Sequence, residues 1–283
     1  MTDHVSRRGL AAGAALLPAA ALLASTSAKA ATPAESTFDR IARTKTLRVA
    51  GITGALPYFS KDLTTGKWQG ACVPMAESVA KIFGAKLEYV EATWGTAVLD
   101  IQSNKIDMSF ALNPTPERAL SIRFTHPMII HPFGCLAKHG LNPKTWSDID
   151  KPNLRIGYDI GSLHETVAKR FAPKARHVGF AQQDQALLAL QSGRVDVVIL
   201  AALLGLAAVG KNPALGPYHL LEQPQVALPS CLGIQQESDN RFRDVLNAWL
   251  DFNRGIGTMR ADIIAGLAVE GVKPSQIPPA LSF

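Results

Sequence analysis

Apolar residues along the chain switch repeatedly between two spacings, every second residue and every third or fourth residue. The first spacing is typical of strands and the second of amphipathic helices. Strands are predicted at Leu47–Ile52, Leu87–Glu91, Ile106–Ala111, Leu154–Tyr158 and Val195–Leu200. Helices are predicted at Val73–Phe83, Thr96–Ser103, Leu163–Phe171, Gln182–Gln191, Asn240–Phe252 and Met259–Ala268. This alternation predicts an α/β protein with mainly parallel strand pairing.

One pattern occurs twice in the chain. Residues 99–110 (LDIQSNKIDMSF) resemble residues 188–199 (LALQSGRVDVVI). Each segment is interpreted as a helix that stops at Asn104 or Gly193 and leads directly into a buried strand, because Asn and Gly tolerate the left-handed conformation that ends many helices. Two copies of one helix–strand unit predict two similarly built lobes.

Two apolar segments, residues 126–137 and 225–234, contain prolines that disfavour helix, so both are predicted to be extended. If both connect the same two lobes, residues 31–135 form the first part of lobe 1 and residues 136–228 form an inserted lobe 2. Residues 229–283 then return to lobe 1 with the C-terminal helices. Two such connections permit hinge closure over a cleft.

The first 30 residues have the pattern of a cleaved export signal. Arg7 and Arg8 precede an apolar, alanine-rich stretch over residues 10–24, and residues 28–30 (AKA) form a small-x-small cleavage site. Paired arginines resemble the twin-arginine signal, with an ordinary Sec signal as the alternative. The apolar stretch is shorter than the roughly 20 residues that span a bilayer. A periplasmic location is therefore expected.

Composition is that of a globular protein, with 47% apolar and 18% charged residues among 283. The net charge of +6 falls to +4 when residues 1–30 are removed, because Arg7, Arg8, Lys29 and Asp3 leave with them. The remaining basic residues are scattered, so no nucleic-acid partner is expected. A mildly positive surface suits a small anion.

Cysteines and histidines indicate no metal or cofactor. Cys72, Cys135 and Cys231 are widely spaced, which favours three buried thiols over one disulfide and a free thiol. His126 and His131 are five residues apart in a predicted strand, and such residues lie on opposite faces. A metal site formed by these two histidines is therefore not expected.

The order of short motifs in the chain resembles that of the family 3 extracellular solute-binding proteins, the periplasmic receptors of polar amino acid ABC transporters. The motifs are TLRV at 46–49, LPYF at 56–59, GKWQG at 66–70, Trp94-Gly95, KID at 105–107, TPER at 115–118, FTHP at 124–127, RIG at 155–157, Gly161-Ser162 and GRVD at 193–196. The resemblance implies a two-lobed periplasmic binding fold of type II, in which two hinge strands join lobes that each contain a mainly parallel sheet flanked by helices. It also implies a monomer that delivers a small solute to a membrane permease.

The same resemblance implies the half of the site that holds the ligand's carboxylate. Arg118 occupies the position of the family's carboxylate clamp, and a guanidinium suits that role because it donates two parallel hydrogen bonds. Thr115 and Asn113 would add polar groups beside it. The alternative for Arg118 is a surface arginine that acts as a cap or pairs with Glu117.

Lobe 2 is expected to contribute the start of a helix. Gly161, Ser162, Leu163 and His164 surround the predicted helix N-terminus, where free amides favour an anion. Ser162 is also a good N-cap without any ligand. The charge of His164 would tune binding near neutral pH, with a solvated histidine as the alternative.

The cleft walls complete the set of expected ligand-binding residues. Trp94 stands where the family places an aromatic that stacks on the ligand, with a core tryptophan as the alternative. Ala111 and Ala201 are expected to line the same cleft.

Departures from the family pattern affect the half of the site that holds an ammonium group. Ala201 replaces an aspartate that usually follows the GRVD strand, Ile52 replaces another common aspartate, and Ala55 replaces an aromatic. An uncompensated buried ammonium costs several kcal/mol. The expected ligand is therefore a carboxylate without an α-amino group, or an amino acid whose amine meets other groups.

Three function classes follow. The first is a non-enzymatic receptor of an ABC importer, which captures its ligand by closure of the lobes. The second is a periplasmic dehydratase or lyase on the same scaffold, for which Glu165, His164 and Glu91 are candidate acids or bases. The third is a sensory or redox-partner accessory protein of the same fold.

Overall fold

The computed structural model of the protein describes residues 35–279 and residue 281. The predicted export signal at residues 1–30 lies outside the described residues. The strands are β1 (Thr46–Ile52), β2 (Ser60–Lys61), β3 (Trp68–Gln69), β4 (Lys86–Ala92), β5 (Met108–Leu112), β6 (Arg123–Ala137), β7 (Arg155–Asp159), β8 (Arg176–Phe180), β9 (Val197–Ala201), β10 (Tyr218–Leu220) and β11 (Ala227–Ile234). The α-helices are α1 (Thr37–Thr44), α2 (Cys72–Ile82), α3 (Ala97–Gln102), α4 (Pro116–Ala119), α5 (Trp146–Ile149), α6 (Leu163–Phe171), α7 (Gln183–Gln191), α8 (Ala202–Lys211), α9 (Arg241–Gly255) and α10 (Thr258–Val269).

Every strand and helix predicted from spacing is present, with ends displaced by at most three residues. Helix α8 was missed because it is apolar on nearly all sides, so its sequence shows no helical period. Strand β8 was missed because it is short and its sequence, RHVGF, does not alternate between apolar and polar residues.

The main sheet has the strand order β4-β1-β5-β11-β6-β9-β7-β8, with β10 paired to β6. Parallel pairs form its two outer parts, β4-β1-β5 and β9-β7-β8. The long antiparallel strands β6 and β11 lie between these parts. Fold class is therefore α/β, as expected.

Strand β6 changes partners along its length. Residues 123–132 pair with β11, whereas residues 133–137 pair with β9. We call the sheet on the β1 side the first half and the sheet on the β9 side the second half. The proposed lobe boundaries at residues 135/136 and 228/229 stay a prediction.

The repeated helix–strand unit has the same local structure in both copies. Asn104 follows α3 with φ 57°, and Gly193 follows α7 with φ 69°, so both take the left-handed conformation expected of them. Each copy then enters a completely buried strand, β5 or β9.

All three cysteines are free and buried, as the favoured prediction has it. No helix among residues 35–279 combines the length and the apolar character that crossing a membrane requires. Within the same residues, no cluster of three or more potential metal-ligating side chains occurs.

Candidate functional site

Arg118 connects the two halves of the sheet. Thr115 caps the short helix α4, where its Oγ1 accepts a hydrogen bond from the Arg118 backbone N–H at 3.3 Å. The guanidinium donates to the carbonyl of Asn113 at 2.9 Å and to the carbonyl of Gly161 at 2.8 Å. Burial lowers the pKa of Arg118, and the charge of Asp159 opposes that effect. Three of its five N–H groups are left for a further acceptor.

The N-terminus of α6 faces Arg118 from the second half. Ser162 is the N-cap; its hydroxyl accepts from the Glu165 N–H at 3.3 Å and donates to the Asp159 carbonyl at 2.7 Å. Leu163 and His164 are the first two helical residues, whose backbone N–H groups have no intrahelical acceptor. These amides and the helix dipole favour an anion at this point.

His164 forms a buried pair with Asp159. Its Nδ1 lies 2.7 Å from Asp159 Oδ1, and both side chains are nearly inaccessible to solvent. Burial raises the pKa of Asp159, but the charge and hydrogen bond of His164 and the Ser162 hydroxyl outweigh it, so the pKa is lowered. The ionised Asp159 therefore holds the His164 ring in one orientation, as carboxylates do for catalytic and ligating histidines.

A second buried histidine lies on β6. His131 Nε2 is 3.0 Å from the Ser230 hydroxyl of β11, and its Nδ1 is 3.5 Å from the Tyr58 hydroxyl. Asn113 Nδ2 donates to the same Ser230 oxygen at 3.0 Å. Burial, assisted by the charge of His164, lowers the pKa of His131 to about 3. His131 is therefore a neutral hydrogen-bonding group.

These side chains surround one small cavity between the two halves. Its lining consists of Tyr58, Trp94, Ala111, Asn113, Arg118, His131, Ser162, Leu163, His164, Ala201, Leu204 and Ser230. Eight of the ten sequence-predicted ligand-binding residues belong to this lining, whereas Thr115 and Gly161 do not. Thr115 caps α4, and Gly161 contributes its carbonyl to Arg118.

Four lining residues were missed by sequence reasoning. Tyr58 belongs to the LPYF motif, and His131 was considered only as a metal ligand. Ser230 lies in the second extended segment, residues 225–234. Leu204 lies in α8, the helix without a visible period. The sequence signal for His131 and Ser230 is a polar side chain inside a predicted apolar strand. Such a buried polar group needs a hydrogen-bond partner and therefore indicates a polar site.

The cavity is lined by hydrogen-bond donors. Among the described residues, no Asp or Glu side chain lines it, so it offers no carboxylate to a cation. Trp94 is 9% exposed, and its buried Nε1–H has no hydrogen-bond partner among the described residues. Ala201 is buried at the end of β9, and Ile52 and Ala55 are buried as well. The cavity volume of about 10 Å³ accommodates about one water molecule.

Of the three candidate acids and bases, only His164 lines the cavity. Glu165 accepts hydrogen bonds from the Gly161 N–H at 2.8 Å and from Lys169 Nζ at 2.6 Å. Glu91 forms an exposed ion pair with Lys61.

Residues 47–148 match the sequence profile of the bacterial extracellular solute-binding proteins, family 3. This part of the chain is similar to that family. The fold is that of the type II periplasmic binding proteins.

Individual proteins are similar to this chain over most of its length. The chain is 27% identical to cyclohexadienyl dehydratase of Pseudomonas aeruginosa over 251 residues, which cover 85% of this chain and 88% of that protein. It is 26% identical to a probable histidine-binding protein of Campylobacter jejuni, with 77% and 81% covered. The crystal structure of AncCDT-1, described as an ancestral amino acid-binding protein and precursor of cyclohexadienyl dehydratase, superimposes with a TM-score of 0.73 at 26% identity, with 84% and 100% covered.

Proposed function

We propose that this solute-binding protein is the receptor for a small carboxylate that lacks an α-ammonium group. The observation that carries the proposal is the donor-rich cavity, which combines the Arg118 guanidinium, the orphan Nε1–H of Trp94 and no carboxylate for a cation. Asp159 is already paired with His164. An ammonium group placed beside Ala201 and Leu204 would lose its hydration without gaining a partner.

The ligand carboxylate is proposed to lie between Arg118 and the first turn of α6. Arg118 has donors to spare in the first half, and α6 supplies amides from the second half. A ligand that contacts both halves favours their approach, because it binds the closed arrangement more tightly than the open one. The small cavity volume fits this mechanism, since the walls must separate before a ligand enters.

The test is a thermal-shift screen of residues 31–283 against α-amino acids with polar or charged side chains and their matched des-amino and 2-oxo analogues. A ligand at 100 times its Kd stabilises a protein by about 2.7 kcal/mol. We expect only the analogues without an ammonium group to raise the Tm. A rise with the amino acids alone contradicts the proposal.

Arg118→Ala tests whether a ligand found in the screen binds in the Arg118 cavity. Loss of a buried charge-assisted pair weakens binding by about 2–5 kcal/mol. Arg243→Ala on the exposed face of α9 is the matched control and is expected to bind as the unchanged protein does. Equal affinity of Arg118→Ala and the control would remove Arg118 from the site.

A dehydratase or lyase is the second candidate, and the His164–Asp159 pair is the observation that favours it. A carboxylate-oriented imidazole beside an arginine clamp is suited to proton transfer on a bound acid. A relative is named cyclohexadienyl dehydratase. Recovery of the screened ligand unchanged after prolonged incubation supports the receptor, whereas a product with one water fewer supports the enzyme.

A membrane permease is the proposed partner. Export through the twin-arginine pathway to the periplasm is the proposed route, and the similarity to an extracellular family supports it.

A further inference from the structure

A second concavity lies between the first half of the sheet and helices α7 and α8. Its volume is about 420 Å³, within the range of small-molecule sites. Leu56, Leu187 and Leu215 contribute apolar walls, and Gln183, Asp184 and Lys211 contribute polar groups. We call it the α7–α8 groove. It shares no described lining residue with the Arg118 cavity.

Gln183 is an unsatisfied acceptor in this groove. The residue is 5% exposed, and its Oε1 has no hydrogen-bond partner among the described residues. Buried amide oxygens are nearly always paired, because an unpaired one has lost its water without gaining a partner. A ligand with an N–H donor would satisfy this oxygen.

Two opposite charges accompany Gln183 without pairing. Among the described residues, the side chains of Asp184 and Lys211 form neither a hydrogen bond nor an ion pair. Burial raises the pKa of Asp184, and the charge of Lys211 opposes this effect from a distance. Lys211 also acts electrostatically on Glu270, again without an ion pair. The groove therefore presents a separate anion and cation.

Asp184 lies directly against the first half. A Cβ atom placed on Gly54 would be 2.6 Å from Asp184 Oδ2, and Gly54 also has a φ of +71°. The Asp184 carboxylate therefore lies against the Gly54 backbone, and it lines the groove together with Gln183 and Lys211.

We propose that the α7–α8 groove binds a free amino acid with an aliphatic side chain. The α-ammonium meets the Asp184 carboxylate and Gln183 Oε1, and the α-carboxylate meets Lys211 Nζ. The side chain packs on the leucine walls, which remove its CH₂ and CH₃ groups from water. This inference does not depend on the ligand proposed for the Arg118 cavity.

The probe is L-leucine, measured by isothermal titration calorimetry on residues 31–283. Asp184→Asn and Lys211→Met are each expected to weaken binding at least tenfold. Isoamylamine and 4-methylpentanoate, which each retain one charge, are expected to bind at least tenfold more weakly than L-leucine.

Asp244→Asn and Lys174→Met are matched controls, since both residues are exposed on other helices or loops. Circular dichroism checks that every variant is folded. Binding unchanged in Asp184→Asn and Lys211→Met, or full affinity for 4-methylpentanoate, would each overturn the inference. Failure of the carboxylate screen with groove binding intact would overturn only the proposed function.

Discussion

At the scale of single residues, His131 shows how burial determines chemistry. Its ring contacts the Ser230 and Tyr58 hydroxyls, and in the neutral imidazole Nε2 can accept from Ser230 while Nδ1–H faces Tyr58. Protonation would force Nε2 to become a donor and would place an uncompensated charge in the core. His131 therefore supplies neutral polarity to the cavity, whereas Arg118 supplies its charge.

His131 should make the free energy of unfolding depend on pH. Its pKa is about 3 in the folded protein and near 6.5 when unfolded, so the unfolded chain binds the extra proton between these values. The contribution of His131 to the free energy of unfolding is fully present above pH 6.5. It decreases as the pH falls towards 3, by up to about 1.4 kcal/mol per pH unit. Urea titrations between pH 7 and pH 4.5 should show a flatter dependence for His131→Gln. Parallel curves for both proteins would refute the assignment.

At the scale of elements, both copies of the helix–strand unit carry an aspartate just before the strand, and each aspartate pairs with an arginine of the neighbouring strand. Asp107 accepts from the Arg48 backbone N–H at 2.7 Å and from its guanidinium at 2.6 Å. Asp196 accepts from the Arg155 backbone N–H at 2.9 Å and from its guanidinium at 3.0 Å. Each aspartate thus ties the start of one parallel strand to its neighbour in the sheet.

Asp196→Ala should destabilise the second half of the sheet. The carboxylate is buried and also accepts from Lys138 Nζ at 2.8 Å, so its removal leaves several donors unpaired. The Arg155 and Lys138 hydrogen bonds lower the pKa of Asp196 despite burial, so its contribution is lost as pH falls below about 4. We expect a loss of about 3 kcal/mol at pH 7.

Chemical denaturation measures that loss, with the exposed Asp244→Ala as control, for which a change within about 0.5 kcal/mol is expected. If Asp196→Ala lowers the free energy of unfolding by no more than the control does, the Asp196–Arg155 contact contributes only what a surface ion pair contributes.

At the scale of the whole molecule, two glycines let the halves approach beside the Arg118 cavity. A Cβ atom on Gly95 would lie 3.1 Å from the Ile160 carbonyl oxygen, and one on Gly161 would lie 2.9 Å from Gly95 Cα. Arg118 crosses between the halves at the same place through the Gly161 carbonyl. The closure of the cavity therefore depends on backbone contact as well as on the arginine.

Gly95→Ala should separate the two walls while the fold persists, because Gly95 does not need a left-handed φ. Trp94 lies next to it in the cavity wall, so its fluorescence should shift to the red and become accessible to acrylamide. Gly255→Ala is the control, since no described atom lies within 4 Å of a Cβ there. The red shift should be absent when Gly95→Ala is made in a Trp94→Phe background. Identical spectra for Gly95→Ala and Gly255→Ala would show that the contact of Gly95 with Ile160 and Gly161 does not keep the walls together.

Much of the candidate site could be predicted because its residues belong to local patterns. Ser162 precedes a helical period, and Arg118 follows a Thr-Pro start, so their positions at helix N-termini depend on neighbours within four residues. The family resemblance then placed both on one cleft. Thr115 was expected beside the ligand; its hydroxyl oxygen accepts the capping hydrogen bond of α4, and its place beside a ligand stays a prediction.

The sequence by itself determined the order of strands and helices, the left-handed residues at Asn104 and Gly193, and the burial of β5 and β9. Only the tertiary structure decided which distant side chains meet. His131 and Ser230 are 99 residues apart, and Arg118 reaches a carbonyl 43 residues away. Periodicity reports which face of an element is buried, because burial depends on local spacing. Contacts across the sheet depend on strand order and register, which no local pattern contains.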